Sequence, residues 1–144
     1  MFLVNKVIIG SDHAGFEYKE ILKKYLTENN IEFFDAGTHS EASCDYPDIA
    51  HALAEKVNDS TYSFGILLCG SANGVAIVAN KHHKVRAAIC WNNATAMLAR
   101  QHNNANIICI PARFVTINEA MEMTKLFLST EFEGGRHQNR IDKI

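Results

Sequence analysis

Phe64-Gly65-Ile66-Leu67-Leu68-Cys69-Gly70-Ser71-Ala72-Asn73-Gly74-Val75-Ala76-Ile77-Val78-Ala79 passes from a short apolar run, through a turn of small residues, into a second apolar run. Phe64 to Leu68 is apolar along its length and does not alternate, the pattern of a strand covered on both faces in a parallel sheet. The stretch therefore reads as strand, tight turn and helix start. The same unit recurs on either side of it. Lys6 to Ile9, Ile31 to Asp35, Arg86 to Trp91 and Asn106 to Ile110 are further short strand candidates. Between them, Tyr18, Ile21, Leu22, Tyr25 and Leu26 fall at helical spacing, as do Ala120, Met123, Thr124, Phe127 and Leu128. Ile49, Ala52, Leu53 and Val57 form a weaker stripe, and Ala94, Met97 and Leu98 begin another.

Strands alternating with helical segments predict βα units joined by right-handed crossovers. The expected architecture is α/β: a three-layer, Rossmann-like, doubly wound sheet of five parallel strands, in one domain over residues 1–144. Gly (8) and Pro (2) are sparse, and no linker, repeat or low-complexity tract interrupts the pattern. Apolar runs such as Val75 to Ala79 and Ala87 to Trp91 have five residues, against about 20 for a membrane helix. The start, Met-Phe-Leu-Val-Asn-Lys, lacks the basic and apolar regions of a secretory signal. A net charge of -2 argues against nucleic acid or an anionic membrane as a partner. Cys44, Cys69, Cys90 and Cys109 form no C-x-x-C pair and no zinc-like spacing. They read as reduced thiols in a cytoplasmic protein, with no metal and no cofactor expected.

In an open parallel sheet, ligands bind beyond the carboxyl ends of the strands. The segments that follow those ends here are Gly10-Ser11-Asp12-His13-Ala14-Gly15, Cys69 to Gly74, and Pro111-Ala112-Arg113. The fourth strand leads through a helix to Arg100-Gln101-His102-Asn103. The turn Gly70-Ser71-Ala72-Asn73-Gly74 is either an ordinary βα turn or an anion cradle of backbone N–H groups. It is neither a Walker loop nor a full dinucleotide fingerprint. Cys69 at its edge favours the cradle, since a thiol beside oriented amides has a lowered pKa and can act as base or nucleophile. Asp12-His13 also fits a helix N-cap followed by a solvent-facing ring, and His102-Asn103 a helix C-terminal cap. Arg136 and Arg140, four apart, are a solvated basic tail or a grip on an anion. His39, His51, His82 and His83 have no comparable setting.

Taken in order, G-S-D-H-A-G at 10–15, D-Y-P at 45–47, C-G-S-A-N-G at 69–74, N-K at 80–81, R-Q-H-N at 100–103 and E-G-G-R-H-Q-x-R at 133–140 resemble the B-type ribose-5-phosphate isomerases. That family includes the galactose-6-phosphate and allose-6-phosphate isomerases, and the resemblance covers essentially the whole chain. It implies interconversion of an aldose phosphate and its ketose through an enediolate, without a metal, in the non-oxidative pentose phosphate pathway. By it, Cys69 is the base and His102 assists opening of the furanose ring. Asp12, His13 and Tyr46 line the sugar, while Ser71 and the amides of Gly70, Ala72, Asn73 and Gly74 hold the oxyanion. Asn103, Arg113, Arg136 and Arg140 take hydroxyls and phosphate, with the tail at about 131–144 helping to form the phosphate site.

The resemblance further implies a homodimer or tetramer with shared active sites, in which His102, Asn103 and Arg113 come from the partner. Ser stands at 71 where some relatives carry Thr, and Ala at 72 where many carry Gly. Relatives that lack the cysteine use a glutamate where this chain has Val75, which points to the cysteine version of the mechanism. Two alternatives remain at this stage: an isomerase for a six-carbon sugar phosphate, and a flavodoxin-like module that binds a phosphorylated ligand and catalyses nothing.

Overall fold

The computed structural model describes residues 1–144, and its sheet has five parallel strands in the order β2-β1-β3-β5-β4. These are β1 (Lys6–Ser11), β2 (Glu32–Asp35), β3 (Gly65–Cys69), β4 (Ala87–Ile89) and β5 (Ile107–Pro111). The helices are α1 (Phe16–Glu28), α2 (Tyr46–Asn58), α3 (Asn73–Ala79), α4 (Asn93–Asn103), α5 (Ile117–Ser129) and α6 (Arg136–Ile141). None is long and apolar enough to cross a membrane.

The central strands β3 and β5, and β1 over Val7 to Ile9, are apolar and buried because each face of the sheet has its own core. Val7, Ile9, Ile66, Leu68, Ile108 and Ile110 point to one side, where Leu22 and Leu26 of α1, Ala96 and Ala99 of α4, and Ala120, Met123 and Phe127 of α5 cover them. The alternate residues Ile8, Leu67, Cys69, Ile107 and Cys109 pack against Ala50, Leu53 and Val57 of α2 and Val75, Ala76 and Ala79 of α3. This two-sided alternation at period two makes the three layers.

Three local expectations are revised. The fourth strand is three residues, not Arg86 to Trp91. It lies at the sheet edge, and a capping box between Asn92 and Thr95 turns the chain into α4 at once, leaving Trp91 55% exposed. On α4 the apolar stripe beginning at Ala94, Met97 and Leu98 is not the buried one: Ala96, Ala99 and Arg100 face inward and Leu98 is exposed. The two alanines permit close approach, and the Arg100 guanidinium lies 4.6 Å from the Phe64 ring centroid while donating to the Thr130 and Ala105 carbonyls. Finally, the α4 C-cap is Asn104, in the left-handed region, so His102 and Asn103 belong to the last helical turn.

Candidate active site

The strand order reverses between β1 and β3, because the chain leaves β1 for β2 on one side and β3 for the β5-β4 half on the other. Such a switch point opens a crevice at the carboxyl ends of the two central strands. Ser11 stands in register with Leu68, and the Asp12 N–H donates to the Leu68 carbonyl at 3.2 Å. Gly15 makes this approach possible, since a Cβ there would come within 2.8–2.9 Å of Leu68. On the other flank Cys69 is opposite Pro111, and the Arg113 N–H donates to the Gly70 carbonyl at 3.1 Å.

The resulting cavity, about 370 Å³, is lined by Asp12, His13, Ala14, Tyr46, Cys69, Gly70, Ser71, Gly74 and Arg113. A roomier cleft of about 520 Å³ at the end of α3 holds Lys81, His82, His83 and Arg86 instead, but it gathers neither the thiol nor the turn at its edge. Arg113 thus lines the chain's own Cys69 cavity, where the resemblance had implied a residue of the partner. The reason is pairing: β5 lies beside β3, so the residues after β5 stand beside those after β3.

Each wall has a local cause. Asp12 accepts the Gly15 N–H on Oδ1 at 3.1 Å, so one carboxylate oxygen closes the turn into α1. The Cys44 N–H donates to His13 Nδ1 at 3.4 Å, which leaves the proton of a neutral ring on Nε2. Tyr46 opens α2, with Pro47 in the first turn, and its ring lies directly over Gly74. Ala72 adopts φ 64°, the left-handed conformation that glycine takes without cost, and it does so fully buried at the start of α3.

The electrostatics at Cys69 differ from the sequence expectation. Burial pushes the thiol above its ordinary value and the Asp12 carboxylate adds to this, while the N–H groups of Val75, Ala72 and Ser71 pull it down without cancelling the rise. Cys69 is 5% exposed, and the loss of water outweighs the oriented amides. Burial likewise pushes Cys90 up to about 12 and Cys109 well up, in keeping with inert core thiols.

His102 and Asn103 lie elsewhere. They line a second cavity, about 360 Å³, together with His137, Arg140, Ile141 and Ile144, and it shares no residue with the first. The His102 and His137 rings stack 4.1 Å apart at 14°. Burial, with His102, Arg136 and Arg140 nearby, holds the His137 imidazole below its usual value despite Glu133. Arg136 is exposed in the first turn of α6. One chain therefore carries two separate constellations, a thiol with its amides and a histidine with its arginines.

Residues 7–144 match the profile of the Ribose/Galactose Isomerase family. The chain belongs to that family. It is 45% identical over 140 residues to a probable ribose-5-phosphate isomerase B of Mycoplasma genitalium, covering 96% of this chain and 92% of the other. The ribose-5-phosphate isomerase B of Escherichia coli is 37% identical, with 98% and 95% covered. Among solved structures, a ribose 5-phosphate isomerase of Thermotoga maritima superposes with a TM-score of 0.94 at 48% identity, covering 96% and 95% of the two chains. The Mycoplasma genitalium ribose-5-phosphate isomerase B, described with bound ribulose-5-phosphate, gives 0.92 at 44% identity, covering 96% and 92%. The chain is an isomerase, which removes the non-catalytic binding module.

Proposed function

We propose that the isomerase interconverts ribose 5-phosphate and ribulose 5-phosphate through an enediolate, with Cys69 as the base. The observation that carries this reading is the cavity at the β1/β3 switch point. It puts a thiol faced by three backbone amides in one wall and Asp12, His13, Tyr46, Ser71 and Arg113 around it. The relative described with ribulose-5-phosphate supports the five-carbon substrate.

In the forward direction the Cys69 thiolate takes the proton from C2 of the open-chain aldose. The C–H electron pair becomes the C1=C2 bond and the carbonyl pair moves to O1; a proton then passes from the O2 hydroxyl to O1, and as the O2 pair forms C2=O the C1=C2 pair takes the proton back from the thiol at C1. Donors must stand where charge collects on oxygen. The hydroxyl of Ser71, which accepts the Asn73 N–H at 3.3 Å, and the amides of Gly70 and Gly74 are the groups available for this, together with His13 through Nε2–H. The amides of Ser71 and Ala72 face the sulfur, so they stabilise the thiolate. Asp12 and Tyr46 hold sugar hydroxyls, and Arg113 neutralises anionic charge at the rim.

His102, which opens the ring, and Asn103 reach the substrate from a second copy of the chain, as do Arg136 and Arg140 of the tail, which bind the phosphate. The separation of the two cavities supports this, and so does the exposed apolar surface at Trp91 and Leu98 beside α4 and at Phe114 beside Arg113. The working form is thus a homodimer or a multiple of it, and its place is the cytoplasm.

The test is turnover of ribose 5-phosphate, allose 6-phosphate and galactose 6-phosphate by the wild type and by Cys69→Ala. Preference for the pentose, with a loss above about tenfold in the variant, supports the reading. Retention of more than a tenth of kcat removes Cys69 as base. Preference for a hexose phosphate moves the substrate and keeps the chemistry.

A further inference from the structure

Away from Cys69 the fold brings His102 to Glu133 and His137, a set whose third member no sequence spacing announces. His102 in the last turn of α4, Glu133 just before α6 and His137 in its first turn each offer a ligating atom, and these atoms lie within 4.8 Å of one another. His137 Nε2 is 3.7 Å from Glu133 Oε2. The frame is pinned from both sides: the Glu133 N–H donates to the Gln101 carbonyl at 3.1 Å, and the His137 N–H to the Gly134 carbonyl at 3.1 Å. His137 is 6% exposed and the Glu133 side chain 50%, so the cluster has a fixed floor and a solvent-facing edge.

We propose that His102, Glu133 and His137 bind a borderline divalent transition-metal ion of the zinc type, and that its binding withdraws His102 from the reaction and inhibits the isomerase. Two imidazole nitrogens and one carboxylate are a donor set that zinc takes with three protein ligands and a fourth, open position. Magnesium and calcium, which demand oxygen ligands, are poorly served by it. Metal–ligand bonds of about 2.1 Å in a tetrahedron put the donors about 3.4 Å apart. The present spread closes to that value by turning the exposed Glu133 carboxylate and tilting the stacked rings toward each other. Arg140 lines the same cavity, so the open position faces a cation and suits an anionic fourth ligand. Coordination uses the lone pair of a neutral His102 nitrogen, the pair that would otherwise accept a proton in ring opening. The inhibitory part of the inference rests on that proposed role of His102; the metal site does not.

Two other places on the chain could take the same ion, and the experiment separates them. They are the Cys69 thiol and the exposed pair His51 and His82, whose ring nitrogens Nδ1 and Nε2 are 2.9 Å apart. Co2+ binding is followed by visible absorption and by competition with a chromogenic chelator, in the wild type and in Glu133→Gln, His137→Gln and His82→Gln. In parallel, Zn2+ is titrated into the turnover assay. The site predicts binding without a thiolate charge-transfer band, weakened at least about tenfold by Glu133→Gln and by His137→Gln and untouched by His82→Gln. It also predicts Zn2+ inhibition that competes with the sugar phosphate, reverses with EDTA and weakens in the same two variants. Glu133→Gln replaces an exposed side chain and keeps the test valid if His137→Gln fails to fold. Binding and inhibition unchanged in Glu133→Gln overturn the site. Metal binding that responds to the variants while saturating Zn2+ leaves turnover untouched overturns the inhibition and the role of His102 together. Site-dependent binding in a protein inactive on every sugar phosphate supports the metal site and breaks only the proposed reaction.

Discussion

Replacing Gly74 by Ala adds a single methyl group at the point where α2 and α3 meet over the Cys69 cavity. A Cβ built at Gly74 stands 2.5 Å from Cε2 and Cζ of Tyr46 and 2.9 Å from its hydroxyl oxygen. Carbon atoms rest at about 3.5–4.0 Å, so the ring must retreat by about 1 to 1.5 Å. The backbone does not resist, because Gly74 is the second residue of α3 and Ala is the better helix former by up to about 1 kcal/mol. Tyr46 is 38% exposed and opens α2, so its ring can swing outward at small cost. Stability should therefore stay level or rise, and the penalty should fall on the reaction. A displacement of about 1 Å in a positioning group costs up to about 100-fold. We expect kcat/KM on ribose 5-phosphate to fall about 10- to 100-fold, some 1.4 to 2.7 kcal/mol of transition-state stabilisation. The assay is a double-mutant cycle. If the methyl acts only through the ring, Gly74→Ala in a Tyr46→Ala background should cost less than about threefold. Wild-type turnover in the single variant, or an equal loss in both backgrounds, would refute the coupling of Gly74 to Tyr46.

Labelling of Cys69 by iodoacetamide, in a Cys44→Ser background, should accelerate with pH and show no plateau near neutrality, since burial raises the thiol above its ordinary value; a plateau near neutrality would contradict the dominance of burial. Mixing Cys69→Ala with His102→Ala subunits should restore about a quarter of wild-type activity after random re-association into dimers, whereas no recovery would place both groups in one subunit's site. Lys19 is fully buried on Asp35 at 2.6 Å, and Lys19→Met should cost about 2 to 3 kcal/mol in urea titration at pH 7, less than the ~3 to 5 for breaking a buried pair because Lys23 still holds Asp35. Burial pushes Asp35 up, but hydrogen bonds from Lys19, Lys23 and the Gly37 N–H bring it below its ordinary value, so the stabilisation is present above the usual carboxylate range and lost as the pH falls through the folded value. The gap between wild type and Lys19→Met should shrink in acid, and a gap independent of pH would assign the loss to packing.

The central strands were legible because both of their faces are buried, which writes a continuous apolar run into Ile66 to Leu68 and Ile107 to Ile110. The edge was less legible: β4 packs with partial burial and gives way to the Asn92 cap after three residues. Helix faces were readable where large residues mark them, as at Leu22 and Leu26, and misleading on α4, where alanines face the core and Leu98 faces out. Lys19 offers no sequence signal of burial; its cause is a carboxylate sixteen residues away on the next strand. Asp12, His13, Cys69, Gly70, Ser71 and Gly74 follow the ends of β1 and β3 and could be named in advance, while Tyr46, at the head of α2, came only with the resemblance. That Arg113 joins them depends on β5 pairing with β3, which no local pattern encodes. Glu133 and His137, spaced four apart ahead of and within α6, were the overlooked signal for the donor cluster, although His102 as its third member appears only in the fold.

The raised Cys69 thiol also bears on how a base survives in this cavity. Below its pKa a base loses tenfold in its active form per pH unit, while its basicity recovers only part of that loss, so a base titrating far above the working pH is poorly matched. The structure supplies the counterweight next to it. Asp12 raises the thiol only while it is an anion, and the amides of Val75, Ala72 and Ser71 favour the thiolate at all times. Under the proposed reaction a sugar hydroxyl that donates to the Asp12 carboxylate spreads its negative charge, which weakens one of the two causes of the shift and leaves the amides in place, so thiolate is favoured when substrate is present. Resting enzyme would keep a protected thiol. Asp12→Asn tests this directly: it removes both the repulsion and the charge that holds the sugar hydroxyl, so Cys69 should alkylate faster than in the wild type while isomerisation falls. Faster alkylation accompanied by undiminished turnover would show that Asp12 does no more than close the turn at Gly15.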